Sequence, residues 1–167
     1  LIALGVTAAV WNDIPERVPT HWNVRGELDG FGSRTAGALM LPLTALAVFV
    51  LLRLLPRIDP RRANYDRFAD TYDWLIAMIV GTMVLMHLVT LGLYLGMPVE
   101  IERAFPAIIG LLLIGVGNML PRAPSNWWFG IRTPWTLSDE RVCARTHRIG
   151  GYAMMAAAVM LLLTAAV

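Results

Sequence analysis

The chain has 167 residues, of which 57% are hydrophobic and only 16% are charged, and its net charge at neutral pH is +2. A soluble domain typically carries about 25% charged residues. The composition therefore excludes a soluble protein, and the small net charge excludes a basic nucleic-acid binder. A single cysteine, Cys143, excludes an internal disulfide and a Cys-x-x-Cys metal site, and the lack of lysine excludes Schiff-base chemistry.

Long apolar segments predict membrane-spanning helices. The segment from Leu1 to Val10 is apolar but only half a span long, so we expect the beginning of a first span to be missing. The C-terminal end is equally abrupt and leaves room for a sixth span. Small-residue pairs at Gly92/Gly96 and Ala153/Ala157 indicate close helix packing. Four longer segments approach the length of a span: 36–55, 75–97, 105–120 and 149–167. Because a spanning segment must satisfy its own backbone hydrogen bonds, we expect an all-α polytopic transmembrane helix bundle with about five visible spans.

The arginines predict the orientation of these spans, because cytoplasmic loops of membrane proteins are rich in basic residues. Segments 53–73 and 121–148 hold five arginines each, whereas segments 11–34 and 98–103 hold four between them. We therefore place the first pair of segments in the cytoplasm and the second pair outside.

The outer loop before the first long span is too rich in prolines and glycines to be a plain linker. Pro15 and Pro19 favour extended backbone, its glycines (Gly32 among them) favour tight turns, and Ser33 or Thr35 can cap the next helix. It is interpreted either as a folded cap at the membrane surface or as a recognition surface for something arriving from outside. The candidate recognition residues are His21, Trp22, Asn23, Gly26, Asp29 and Gly30.

Two polar residues of the spans, His87 and Asn118, are candidate intramembrane sites, since ionisable groups inside a membrane are costly. Thr90 lies three residues after His87 and can share a hydrogen bond with it. Two interpretations stay open: a packed neutral histidine, or a contact for a proton or ligand. The three histidines fall outside, within and inside the membrane, so no metal site is expected, and no nucleophile–base arrangement indicates catalysis.

The last inner loop leads into the final span through a predicted helix. Thr136 and Asp139 have capping-box spacing, so this helix is expected to begin near Ser138. Its basic stripe, at positions i, i+4 and i+7, consists of Arg141, Arg145 and Arg148. The stripe is either an anchor that faces lipid headgroups or a docking face for an acidic patch on a cytoplasmic protein.

The rest of that loop is expected to form one ordered unit that caps the bundle. Within it Arg132 is predicted to be buried with polar neighbours, so that Arg132→Ala lowers the folded yield far more than Arg61→Ala. Cys143 lies four residues before His147, a spacing that we interpret as coincidence. The candidate motif residues are Pro121, Arg122, Asn126, Trp127, Gly130, Arg132, Thr133, Pro134, Trp135, Thr136 and His147.

Both loops together resemble a known family. The outer loop contains Pro-Thr-His-Trp-Asn at 19–23 and Gly-Glu-Leu-Asp-Gly-Phe-Gly-Ser-Arg at 26–34. The inner loop contains Asn-Trp-Trp-Phe-Gly-Ile-Arg-Thr-Pro-Trp-Thr-Leu-Ser-Asp-Glu at 126–140 and Thr-His-Arg-Ile-Gly-Gly at 146–151. The second pattern is similar to the signature of the SdpI family, and the first resembles the domain of unknown function that precedes it in that family.

This resemblance implies a multi-pass protein of the bacterial inner membrane that is not an enzyme and needs no cofactor. It implies immunity to, or sensing of, a secreted peptide toxin outside, with recruitment of a cytoplasmic repressor inside. We divide the chain into residues 1–58, with the partial first span, outer loop and second span, and residues 59–167, with the cytoplasmic loop and an SdpI-like three-span region. Membrane lipids are expected partners and direct nucleic-acid binding is not. The alternatives are an accessory subunit of a larger membrane complex and a small transporter.

Overall fold

The computed structural model describes residues 1–23 and 25–166, which fold into helices and one small sheet. The helices and strands are α1 (Ile2–Ala9), β1 (Arg17–Trp22), β2 (Leu28–Ser33), α2 (Arg34–Ile58), α3 (Ala69–Tyr94), α4 (Ile101–Met119), α5 (Pro134–Ser138) and α6 (Glu140–Ala166). Short 3-10 helices lie at Trp11–Asp13, Arg62–Phe68 and Leu120–Arg122.

Four helical segments in the described part of the chain are long and apolar enough to cross a membrane: 34–58, 62–94, 101–122 and 140–166. Their outward faces carry large apolar side chains, and Leu51, Met160 and Leu163 are each more than half exposed. Such a surface is costly in water and suits the hydrocarbon of a bilayer. The polytopic helix bundle expected from the sequence is confirmed, and the chain is a multi-pass membrane protein.

The closest helix packing joins α4 to α6 through small residues. A Cβ atom added to Gly117 would lie 2.7 Å from the carbonyl oxygen of Gly151, and one added to Gly110 would lie 3.3 Å from that of Ala158. Both pairs are seven residues apart on their helices, so they line a single seam where the backbones approach each other.

The small-residue pairs expected from spacing alone are not the ones that pack the helices, so that prediction was wrong. Ala153 and Ala157 are exposed on the outer face of α6. Gly96 has a φ of 79° and belongs to the turn after α3, where Met97 donates its backbone N–H to the carbonyl of Gly92. A pair of small residues four positions apart packs two helices closely only when the pair faces another helix.

The loops gather at the two ends of the bundle in the expected pairs. At one end the backbone N–H of Trp127 donates to Asp59, which joins the loop after α2 to the loop after α4. At the other end the Tyr94 hydroxyl donates to the carbonyl of Pro19, and Gly26 lies against the side chain of Glu102. Which end faces the cytoplasm stays a prediction.

Candidate functional site

The outer loop folds into an antiparallel hairpin of β1 and β2, called the outer hairpin below. Its pairing is interrupted between Pro19 and Trp22, which marks a bulge at the centre of the hairpin. Ser33 caps α2 by accepting the backbone N–H of Ala36 at 3.3 Å, as the sequence predicted. The loop is ordered as expected, but as strands rather than as a series of turns.

Two of the expected turn glycines lie within β2, and their role is different from the one predicted. A Cβ atom on Gly30 would lie 2.8 Å from Cβ of His21, and one on Gly32 would lie 2.8 Å from Cγ2 of Thr20. These glycines leave room for side chains that cross from β1. Gly26 does lie in the turn, with a φ of 78° that favours glycine.

The side chain of Asn23 organises that turn. Its Oδ1 accepts the backbone N–H groups of Arg25 at 2.8 Å and Glu27 at 3.1 Å, while its Nδ2 donates to the Glu27 carboxylate at 2.7 Å. Such local side-chain bonds are typical of asparagine in turns. Asn23 is therefore a structural residue of the hairpin as well as a recognition candidate.

Exposed polar and aromatic side chains cover the free face of the hairpin. His21 Nδ1 lies 2.5 Å from Asp29 Oδ1, and both side chains are exposed. Phe31 is 52% exposed beneath the guanidinium of Arg17, and Trp22 is half-buried. This face is available to a molecule outside the bundle.

The opposite face of the hairpin is fixed to the bundle. Val18 is fully buried in a cluster with Ile14, Ala38 and Leu91. The Tyr94 hydroxyl donates to the carbonyl of Pro19 at 2.9 Å. The hairpin therefore has a defined position on α2 and α3.

His87 is buried between α3 and α1, and its partner is Thr7 rather than the expected Thr90. The Thr7 hydroxyl donates to the carbonyl of Ala3 at 2.9 Å, so its oxygen must accept from His87 Nε2, 2.7 Å away. Thr90 instead donates to the carbonyl of Met86 on its own helix. This contact attaches α1 to the bundle, and Nδ1 of His87 is buried with no hydrogen-bond partner among the described residues.

Asn118 does not join His87 in one site. His87 lies seven residues before the end of α3, about 10 Å along the axis from the outer end. Asn118 is the penultimate residue of α4 at the other end of the bundle, and its side chain is exposed. The structure separates the two intramembrane candidates.

At the inner end, residues 59–68 and 120–138 form an ordered unit, called the inner cap below. Its centre is Asn126, which is fully buried. The side chain accepts the backbone N–H groups of Trp128 at 3.0 Å and Phe129 at 2.6 Å, and it donates to the carbonyls of Pro124 and Phe129. Every polar atom of the amide has a partner, so Asn126 fixes the path of the loop.

Asp59 connects the two halves of the inner cap. It is 3% exposed, and its carboxylate accepts the hydroxyl of Tyr65 at 3.0 Å and the backbone N–H groups of Arg61 at 2.7 Å and Trp127 at 2.9 Å. Three donors stabilise a buried carboxylate that would otherwise be costly. Asp59 was not among the residues predicted from the sequence.

Arg61 and Asn64 extend this connection. One guanidinium nitrogen of Arg61 donates to the Ser125 hydroxyl, and the other donates to the carbonyl of Leu137 at 2.6 Å. Asn64 Nδ2 donates to the carbonyl of Ser125 at 2.6 Å. Arg61 therefore belongs to the inner cap. The sequence had suggested that its replacement would lower the folded yield far less than replacement of Arg132.

His147, on α6, supports the cap from below and is fully buried. Its Nε2 accepts the backbone N–H of Ile131 at 3.2 Å, and its Nδ1 lies 3.1 Å from the carbonyl of Ala123. Nδ1 must therefore carry the proton, which fixes the ring as one neutral tautomer. The Cys143 sulfur is 3.8 Å from Nε2, so the pair predicted as coincidental is in contact.

Arg132 lies beside this histidine and is half-buried. Its Nη1 donates to the Cys143 sulfur at 3.5 Å, and its Nε and Nη2 are buried without a partner in the described residues. Burial lowers the pKa of the Arg132 guanidinium below its ordinary value. Gly130, with a φ of 110°, leaves the space that this side chain and His147 occupy.

Two successive caps start the last helices, and they correct the predicted capping box. Thr133 and Thr136 form the box at α5, where each side chain accepts the backbone N–H of the other residue. Asp139 instead caps α6 by accepting the backbone N–H groups of Arg141 at 2.7 Å and Val142 at 3.2 Å. These bonds, that of Val142 first, hold the pKa of Asp139 below its ordinary value.

The surface of the inner end carries the remaining predicted residues. Trp127 and Trp135 are 50% and 70% exposed, consistent with side chains at a membrane interface. The basic stripe is exposed as predicted, and it comprises Arg141, Arg145 and Arg148. Other exposed members of the predicted motif are Pro121, Arg122 and Pro134.

The structure thus gathers only part of the predicted inner motif into one buried cluster: Asn126, Gly130, Arg132, Thr133, Thr136 and His147. It adds residues that sequence reasoning missed: Asp59, Arg61, Asn64, Tyr65 and Ser125. The one sequence signal for the added set is an aspartate before a proline, at Asp59-Pro60, directly after a long apolar run.

Comparisons with known proteins agree with this two-ended arrangement. Residues 1–46 match the family described as domain of unknown function DUF1648, and residues 122–167 match the SdpI/YfhL protein family. The chain is also 27% identical over 129 residues to Immunity protein SdpI of Bacillus subtilis strain 168. That alignment covers 77% of this chain and 59% of the relative, and no solved structure gives a significant match. The resemblance to the SdpI family is confirmed: the chain carries a DUF1648 region at its N-terminal end and an SdpI/YfhL family region at its C-terminal end.

Proposed function

We propose that this protein is an immunity protein of the bacterial inner membrane that protects its cell against a secreted peptide toxin. The observation that carries the proposal is the similarity to Immunity protein SdpI, which extends over 77% of the chain. The first family region contains the outer hairpin, and the second contains most of the 120–138 part of the inner cap together with α6. We infer that the protein acts by binding and not by catalysis.

Recognition is assigned to the outer hairpin, because a toxin that attacks the membrane must be met outside it or within it. The hairpin presents the exposed pair His21 and Asp29, and the half-buried Trp22 directly follows His21 in β1. An aromatic ring beside a hydrogen-bonding pair suits a peptide that is partly apolar. His87 fixes α1, which leads directly into the hairpin, and so contributes to the position of this surface.

Signalling is assigned to the inner end. Arg141, Arg145 and Arg148 are exposed on the first turns of α6, where an acidic surface of a cytoplasmic repressor can reach them. The same helix continues into the last candidate span and carries His147 beneath the inner cap. A change in the packing of α6 would therefore alter how the stripe is presented.

The proposal is tested by expressing the chain in a Bacillus subtilis strain that lacks its own Immunity protein SdpI. This strain is grown beside its toxin-secreting parent, and an empty vector serves as the control. We expect survival to rise well above the control. Survival equal to the control, with the folded chain present in the membrane, would contradict the proposal. Stable copurification with a fixed set of membrane proteins in mild detergent would then favour the complex-subunit alternative.

A further inference from the structure

A recess opens at the inner end where α2 meets the 3-10 helix Arg62–Phe68. Its volume is about 450 Å³, and its walls are formed by Pro56, Arg57, Arg62, Ala63, Tyr65 and Asp66. Both arginines are exposed, one on each of the two elements. The volume falls within the range of small-ligand sites in proteins.

The charged side chains that line the recess make no ion pairs within the described residues. Arg53 pairs with Asp73, and Arg61 is bound to the inner cap. By contrast, Arg57, Arg62 and Asp66 have no ion pair or side-chain hydrogen bond within the described residues. Two guanidinium groups and one carboxylate therefore share a concave surface with their hydrogen-bonding capacity unused.

Exposed apolar side chains of α2 neighbour the arginine that α2 contributes to the recess. Leu54, Arg57 and Ile58 lie at i, i+3 and i+4, so they share one face of α2. Leu54 is 43% exposed and Ile58 is 65% exposed. A ligand with its polar group in the recess can thus lay an apolar chain along α2, which favours a lipid over a soluble anion.

We propose that this recess binds the headgroup of a phospholipid with a free amine, of the phosphatidylethanolamine class. Arg57 and Arg62 hold the phosphodiester, because guanidinium groups bind phosphate through paired hydrogen bonds. The carboxylate of Asp66 accepts hydrogen bonds from the ammonium group. A single carboxylate beside two arginines complements a headgroup that carries one negative and one positive charge.

Native mass spectrometry of the full chain in detergent tests the site, with phosphatidylethanolamine and phosphatidylcholine of identical acyl chains as the probes. The two lipids share the phosphodiester, but the choline nitrogen has no hydrogen to donate to Asp66. We expect the wild-type protein to bind the ethanolamine lipid more tightly. The Arg57→Gln/Arg62→Gln double variant should weaken binding of both lipids about tenfold. Asp66→Asn should remove only the preference between them.

Arg67→Gln is the matched control, since Arg67 is exposed on the same 3-10 helix but does not line the recess. It should bind both lipids as the wild type does. Equal binding of the two lipids by the wild-type protein, or unchanged binding by the double variant, would overturn the proposal. Competition by free phosphoethanolamine at the concentration of the lipid would overturn the assignment to a membrane lipid.

Discussion

The carboxylate of Asp59 accepts the backbone N–H of Trp127 at 2.9 Å, although 68 residues separate them in the chain. Asp59 directly follows α2, whereas Trp127 lies in the loop after α4, so this bond joins the two basic loops at one end of the bundle. The inner cap depends on it because both partners lie in segments without regular strands or long helices.

Replacing Asp59 by alanine should destabilise the protein strongly. The change leaves the N–H groups of Arg61 and Trp127 without their acceptor and removes the shorter of the two hydrogen bonds of the Tyr65 hydroxyl. Buried donors without partners are costly, so we expect the free energy of unfolding to fall by about 3 kcal/mol. Chemical unfolding in detergent measures this free energy for the variant and the wild type. Asp70→Ala, an exposed aspartate in the first turn of α3, is the control and should change little; an equal loss in both variants would contradict the role of Asp59.

Arg61 should contribute more to the stability of the inner cap than Arg132 does, which is the opposite of what the sequence suggested. Arg61 donates to the Ser125 hydroxyl and the Leu137 carbonyl, whereas Arg132 donates a long hydrogen bond to the Cys143 sulfur. A buried charge replaced by an apolar side chain of similar length often costs little. We therefore expect Arg61→Met to lower the melting temperature more than Arg132→Met does.

The exposed Arg67 provides the reference for this pair, and Arg67→Ala should melt as the wild type does. A larger loss in Arg132→Met than in Arg61→Met would show that the guanidinium of Arg132 is compensated by its surroundings.

The start of α6 should lose stability in acid. The backbone N–H groups of Val142 and Arg141 hold the pKa of Asp139 below its ordinary value of 3.8. A carboxyl with a lowered folded-state pKa contributes stability above its unfolded pKa and loses it as the pH falls through the folded one. We expect the contribution to be complete near neutral pH and to decline as the pH falls below about 4 toward the lowered folded-state pKa.

Asp139→Asn isolates this effect, because asparagine also caps helices but does not titrate. Melting temperatures of the variant and the wild type should differ most near pH 7, and the difference should shrink as the pH falls below about 4. A constant difference across that range would mean that Asp139 does not titrate as a cap.

Cysteine labelling tests the orientation inferred from the arginines. Thr20→Cys in the outer hairpin and Ala63→Cys in the inner cap, each in a Cys143→Ser background, are both at exposed positions. Only the first should react with a membrane-impermeant thiol reagent in intact cells. Labelling of the second alone would invert the assigned topology.

The spans could be predicted because apolar length is a property of each segment by itself. The paired loops followed from the order of the spans, and Asn126, Arg132, Thr136 and His147 came from a dense local motif. Asp59 and Arg61 could not be predicted to join them, since their partners are backbone groups of a distant loop, which leave no periodic trace in the sequence.

The hairpin was missed for a related reason. Gly30 and Gly32 in isolation are typical of turns, and only the pairing with β1 shows that they make room for His21 and Thr20. A glycine required by a cross-strand contact cannot be distinguished from a turn glycine until the partner strand is known.

The central claim, recognition outside and signalling inside, is tested most directly by measuring survival under toxin and membrane recruitment of a tagged repressor in the same cells. Changing Arg141, Arg145 and Arg148 to glutamine should preserve survival and abolish recruitment, since the three side chains are exposed and their removal leaves the bundle intact. The double variant His21→Ala/Trp22→Ala should do the reverse. An Arg67→Gln control should keep both activities. Loss of both activities in each folded test variant would contradict the division, and no effect in either would contradict the immunity function itself.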